Sequence, residues 1–128
     1  MKFDKEKGKK MKKFILISLV MILNFFITSC SVEPRKTVPE EYKAGQKHYH
    51  RICANCHGPD AMGGNRAPKL IQKIYSTDAY SDEKFIQIIL NGSNSGSMPS
   101  LEGKLSDKEI QQVIKYIRYL QRVSDLTS

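Results

Sequence analysis

Cys53-Ala54-Asn55-Cys56-His57 decides how the rest of the chain is read. Two cysteines three positions apart, with histidine directly after the second, supply two thiols able to add to the vinyl groups of one haem and an imidazole able to bind its iron. The spacing has a physical reason: one turn of backbone must span both vinyl-bearing edges of a porphyrin while swinging the next side chain under the metal. Two other chemistries use a cysteine pair at this spacing. A redox dithiol wants a thioredoxin-like pattern of strands and helices around it, and none is present in the sequence. A structural zinc site wants a second pair of Cys or His, and the only other cysteine, Cys30, lies in a different kind of segment.

Helical signals flank the motif on both sides. Pro39-Glu40-Glu41 opens a helix, since proline suits a first turn and acids suit the positive end of the helix dipole. That helix is predicted to run to about Cys53, with Ala44, Gly45, His48, Tyr49 and Ile52 on one buried face. Gly58 to Pro68, punctuated by glycine and proline, is loop, and Leu70 to Tyr75 is expected as a short helix with Leu70 and Ile74 turned inward. Ser81-Asp82-Glu83 caps a helix carrying Phe85, Ile86, Ile89 and Leu90, which Asn91-Gly92 stops. Ser106-Asp107-Lys108-Glu109 is a capping box. After it Ile110, Val113, Ile114, Ile117 and Leu120 recur at helical spacing, with Tyr116 and Tyr119 alongside and Arg118 and Arg122 near the negative end. Tyr116 is expected to pair with Gly45 and Tyr49.

Between the last two helices, residues 92–100 read GSNSGSMPS, and only Met98 could pack. A thioether in so polar a loop has no obvious core to fill. It lies 41 residues beyond His57, enough chain to pass around a porphyrin and present sulfur on the opposite face. Met62 is a rival, yet only five residues past His57 it cannot easily cross to that face. His48 and His50 precede the motif on a helix that should pack away from the iron, and read as core-edge or surface histidines.

Gly45 to His57 (GQKHYHRICANCH), Ala67-Pro68-Lys69-Leu70, Ser97-Met98-Pro99 and Ile110 to Leu120 (IQQVIKYIRYL) together resemble a small bacterial class I cytochrome c, over residues 40 to 122. The resemblance implies an all-α cytochrome c fold, three to five helices around one haem c joined covalently through Cys53 and Cys56. It implies that Gly45 and the aromatic four residues on meet the C-terminal helix. It also implies that the Pro68 carbonyl accepts a hydrogen bond from the His57 ring nitrogen not on iron, which would fix the tautomer and raise ligand basicity. Arg66, Lys69, Tyr75 and Tyr80 are candidate contacts for the haem propionates.

The start of the chain carries an address. Residues 1–13 hold seven lysines against Asp4 and Glu6, and Phe14 to Thr28 is apolar except for Ser18 and Asn24. Those fifteen residues are short for a span, which needs about twenty. The run ends at Ile27-Thr28-Ser29-Cys30, which resembles the lipobox of bacterial lipoproteins, so residues 1–29 read as a signal peptide and Cys30 as the lipidated residue. The alternative is an uncleaved anchor ending in a free thiol. Met11 is as credible a start as Met1. Residues 30–38 follow as a flexible tether of about 30 Å when extended, then a single domain over 39–123 and a frayed end over 124–128.

The formal charge of +8 is mostly this leader. Without its seven lysines and two acids, 14 basic and 11 acidic residues remain, a net of +3, and no nucleic-acid patch survives. No repeat, phosphate loop or nucleophile pair suggests a small-molecule substrate. With His57 and Met98 both on iron no position stays open, so the expectation is an electron carrier outside the cytoplasm, tethered to a membrane and serving a redox donor and acceptor, respiratory or other. Two alternatives stay open: an electron-entry subunit of a larger membrane oxidoreductase, and a haem enzyme or gas sensor with displaceable Met98.

Overall fold

The structure, a computed structural model, describes residues 8, 10–18 and 32–124. The chain divides into two units, Met1–Cys30 and Ser31–Ser128. In the first, residues 10–18 are helical and Phe14, Ile15, Leu16 and Ile17 are exposed. No helix among the described residues is long and apolar enough to cross a membrane. Cys30 lies outside the described residues, as do most of the apolar run and the last four residues.

In the second unit four α-helices follow one another, with two short 3-10 turns between the second and third, and no strand occurs among the described residues. Helix α1 (Glu40–Ile52) starts after Pro39 with Glu40 and Glu41 in its first turn. It runs through Cys53, still helical at φ −81°, into the single turn α2 (Ala54–His57). Gly58, at φ 73°, ends that turn. Helix α3 (Asp82–Asn91) begins with the Ser81 hydroxyl accepting from the Lys84 amide, and α4 (Asp107–Val123) with both halves of the Ser106–Glu109 capping box. The two Ser106 hydrogen bonds, joined by Arg51 from α1, hold the Glu109 carboxyl down at about 2.

The main helix contact is α1 on α4. Tyr42 stacks on Tyr119 with centroids 4.2 Å apart, and Tyr49 meets Tyr116 at 5.5 Å, both of the latter fully buried. Gly45 lets the two backbones approach, since a Cβ there would stand 2.1 Å from the Gln112 carbonyl oxygen and 2.8 Å from Tyr116 Cβ. The expected stripe Ile110, Val113, Ile114, Ile117 and Leu120 is buried throughout.

Three expectations change. Ala44 is exposed rather than buried: with 3.6 residues per turn, Tyr42, Gly45 and Tyr49 centre the face toward α4, and Ala44 falls about 130° off that centre. Leu70 to Tyr75 holds only the 3-10 turn Lys73–Tyr75, because Gln72 is extended at φ −127°, ψ 154°. Helical spacing therefore never sets in; Leu70 and Ile71 face inward and Ile74 is 61% exposed. Residues 35–38, expected within a free tether, are held on the domain. The Arg35 amide donates to Asp60 Oδ2 at 2.8 Å, Gln46 Nε2 donates to the Lys36 carbonyl at 2.7 Å, and Val38 is buried.

Candidate functional site

A cavity of about 290 Å³ opens between the cysteine turn, α3, α4 and the methionine loop. Cys53, His57, Pro68 and Met98 all line it, together with an apolar wall that includes Leu70, Phe85, Ile89, Val113 and Ile117. Cys53 and Met98, 45 positions apart in sequence, thus share one space. A broader depression of about 700 Å³ runs along the polar side of α4 past Lys108, Lys115 and Arg122, with no thiol or imidazole on it.

The α1–α2 junction orients the attachment residues. Cys53 ends α1, and its carbonyl accepts from the amides of Cys56 and His57 at 3.1 and 2.9 Å, so both thiols and the imidazole ride on one turn. Neither cysteine is in a disulfide. Burial, with the Cys56 thiol beside it, pushes the Cys53 thiol up to about 12. A dithiol oxidant depends on the opposite, a thiol lowered toward or below neutrality. Among the described residues no group of three His, Cys, Asp or Glu side chains is placed to hold a metal ion, which leaves zinc without a ligand set there.

His57 Nδ1 lies 2.9 Å from the Pro68 carbonyl oxygen. A carbonyl can only accept, so Nδ1 carries the proton and Nε2 keeps the lone pair that a metal needs. The other expected positions sort cleanly. Met62 is 47% exposed and off the cavity. His48 Nδ1 lies 3.1 Å from Glu109 Oε1, on the α1–α4 seam. His50 is buried, its Nδ1 donating to the Gln46 carbonyl at 2.8 Å while Nε2 accepts from the Asp60 amide at 3.3 Å. Tyr75 and Tyr80 line the cavity; Arg66 and Lys69 do not.

Two supporting residues were not legible beforehand. Asp60 is 1% exposed and accepts from the Tyr116 hydroxyl at 2.7 Å as well as from Arg35. Burial and this bond to Asp60 drive the Tyr116 hydroxyl far up in pKa. Asp60 and Ala61 hold positive φ angles of 51° and 61°, so the carboxylate is presented by a left-handed turn without glycine. Arg118, in the buried stripe of α4, donates from Nε to Asp82 at 2.7 Å, from Nη1 to the Tyr75 carbonyl at 2.7 Å, and from Nη2 to the Tyr80 carbonyl. It thereby fixes two walls of the cavity. Its sequence signal was a long cation between Ile117 and Gln121, one turn after Ile114, all four of them buried.

The donor set fits haem c: two unpaired thiols on one turn, an imidazole with its distal nitrogen free of hydrogen bonds among the described residues, a thioether on the same cavity, and apolar walls. Known proteins agree. Cytochrome c550 of Pseudomonas aeruginosa is 32% identical over 76 residues, 57% of this chain and 51% of that protein. Cytochrome c6 of Thermostichus vulcanus is 30% identical over 111 residues, 83% of this chain and 89% of that protein. Among solved structures, the c-type cytochrome XoxG of Methylobacterium extorquens AM1 superposes with a TM-score of 0.55 at 28% identity, over 67% of this chain and 54% of that one. The chain thus spans about half the length of cytochrome c550 and of XoxG. A family model described as cytochrome c oxidase, cbb3-type, subunit III matches residues 40–117. That match takes in the cysteine pair, His57, Met98 and every helix of the domain up to the last turns of α4, and the chain accordingly belongs to the cytochrome c family.

Proposed function

We propose that the domain carries single electrons between redox partners through one haem c, joined to Cys53 and Cys56 and held at its iron by His57 and Met98. The observation that carries this reading is the meeting of Cys53, His57 and Met98 on one apolar cavity, with His57 already turned by Pro68. Bound there, haem supplies an iron that alternates between ferrous and ferric states. The chain's own part is to orient and to insulate. Pro68 holds the Nδ1 proton of His57 and makes the other nitrogen a better donor. The Met98 thioether favours the reduced state over a second imidazole, raising the potential. Phe85, Ile89, Val113 and Ile117 keep water from the iron. With His57 and Met98 both holding the iron, no coordination position would stay open to oxygen or peroxide, which suits a carrier rather than a catalyst.

The same reading places the domain outside the cytoplasm, exported by residues 1–29 and fixed to a membrane by acyl chains on Cys30. One chain alone anchors marginally at about 0.8 kcal/mol per buried methylene, and several suffice. Cys30→Ser is expected to move the protein from the membrane to the soluble fraction on cell fractionation, and retention in the membrane would count against lipidation. The description of the matching family favours a second reading, an electron-entry subunit within a larger membrane oxidase. Stable copurification with integral subunits from detergent extracts would decide for it.

An optical spectrum tests the core of the proposal. The purified protein should show covalent haem in both redox states, a sulfur–iron charge-transfer band when oxidised, and only slow carbon monoxide binding when reduced. A colourless product from a host able to attach haem would end the reading, and rapid carbon monoxide binding would favour the enzyme or gas sensor.

A further inference from the structure

Met98 sits in a stretch with little else to hold it. Residues 92–100 carry no charge and no other large side chain, and most are exposed, while Met98 is half-buried against the core. Its position is set by hydrogen bonds, and these converge on Ser93. The Met98 amide donates to Ser93 Oγ at 3.0 Å, and the Ser93 amide donates to the Met98 carbonyl at 3.0 Å. One residue therefore engages both main-chain groups of the other, directly after α3 ends. The approach is so close that a Cβ on Gly92, at φ 82°, would stand 2.7 Å from the Met98 carbonyl oxygen.

The clamp hydroxyl is itself oriented. Ser93 Oγ lies 3.1 Å from Ser95 Oγ and 3.2 Å from Ser97 Oγ, which are 2.7 Å from each other. Three hydroxyl protons close three edges, so each serine donates one bond and accepts one around the ring. Ser93 Oγ then has one lone pair left, and the Met98 amide takes it. All three serines line the same cavity as Met98.

We propose that Ser93 is the positioning residue for the Met98 thioether: the paired main-chain bonds hold the Met98 backbone so that sulfur stays on the cavity. This rests on the reading of Met98 as an axial ligand. Ser95 and Ser97 engage the Ser93 hydroxyl proton and leave an oxygen lone pair facing the amide, and without Ser93 the loop has no other tie to the Met98 main chain among the described residues.

The test uses the haem-loaded protein, with Met98 amide hydrogen exchange, the sulfur–iron band, and the rate of carbon monoxide binding to the reduced form as readouts. In the wild type the Met98 amide should be protected although its neighbours in the loop are exposed; an amide as labile as those of Ser95 and Ser97 would overturn the proposal. Ser93→Ala should speed both Met98 exchange and carbon monoxide binding about tenfold, the factor one lost hydrogen bond allows, and weaken the band, whereas Ser93→Thr, which keeps the oxygen, should restore all three. A Ser93→Ala protein unchanged in exchange and carbon monoxide binding sinks the clamp alone. A wild type without the band sinks the Met98 ligation reading, and the clamp with it. Should Ser93→Ala not accumulate with haem, the wild-type amide decides.

Discussion

Gly45→Ala should lower the melting temperature of the domain by roughly 10–15 °C, although alanine is the better helix former. Two effects oppose each other at this position. Alanine in mid-helix gains about 1 kcal/mol over glycine. Against that, the new methyl would sit 2.1 Å from the Gln112 carbonyl oxygen and 2.8 Å from Tyr116 Cβ. Neither is the movable end of a side chain, so no rotamer change relieves the contact and α1 must back away from α4. Overpacking of this kind costs about 3 kcal/mol, leaving about 2 kcal/mol of net loss. The displacement also reaches the site, because α1 runs straight into Cys53. The exposed neighbour provides the control: Ala44→Gly should cost only the propensity difference, about 1 kcal/mol. Thermal melts followed by helix circular dichroism separate the two, and a Gly45→Ala protein that melts within a few degrees of wild type would mean that the helices do not meet as described.

The parts of the molecule legible in the sequence are those whose cause is local. Ser106 and Glu109 are three residues apart and make their capping box with each other, so their pattern announced the last helix. The stripe from Ile110 to Leu120 has a 3.6-residue period that only a helix satisfies. Cys53, Cys56 and His57 stand within five positions and share one turn, so their grouping could be read directly from the sequence. Met98 was legible by contrast, a thioether with no apolar company in its loop. What stayed hidden is non-local. Asp60 joins Arg35, 25 residues before it, to Tyr116, 56 residues after it, and nothing within a few positions of any of the three signals the partnership.

The same reason accounts for the segment before α1. Residues 35–38 look like linker because they contain Lys36 and no period, yet their main chain is bound by Asp60 and Gln46. Backbone groups are carried by every residue, so composition does not reveal when they are used. Arg118 misled in the other direction. Placed near the end of α4, it reads as a cation for the helix dipole, whereas its guanidinium is spent on Asp82 and on the carbonyls of Tyr75 and Tyr80. Ile74 faces solvent because Gln72, in the extended region, keeps a helical period from setting in.

Met98→Ala should leave haem covalently attached while removing the sulfur–iron band and opening the iron to carbon monoxide in the reduced state. The attachment survives because Cys53 and Cys56 are untouched and lie on a separate turn. The loop survives too. Ser93 holds the amide and carbonyl of residue 98, not its side chain, and alanine keeps both. The loss is therefore confined to the thioether and the contact it makes with the core. Axial ligand choice spans about 0.8 V across haem proteins, so removing the soft ligand proposed here should drop the midpoint potential by on the order of a few tenths of a volt. Met62→Ala, changing an exposed thioether off the cavity, should alter neither band nor potential. If potentiometry and the oxidised spectrum of Met98→Ala both match the wild type, some other side chain faces His57 across the iron; if Met62→Ala instead loses the band, that side chain is Met62.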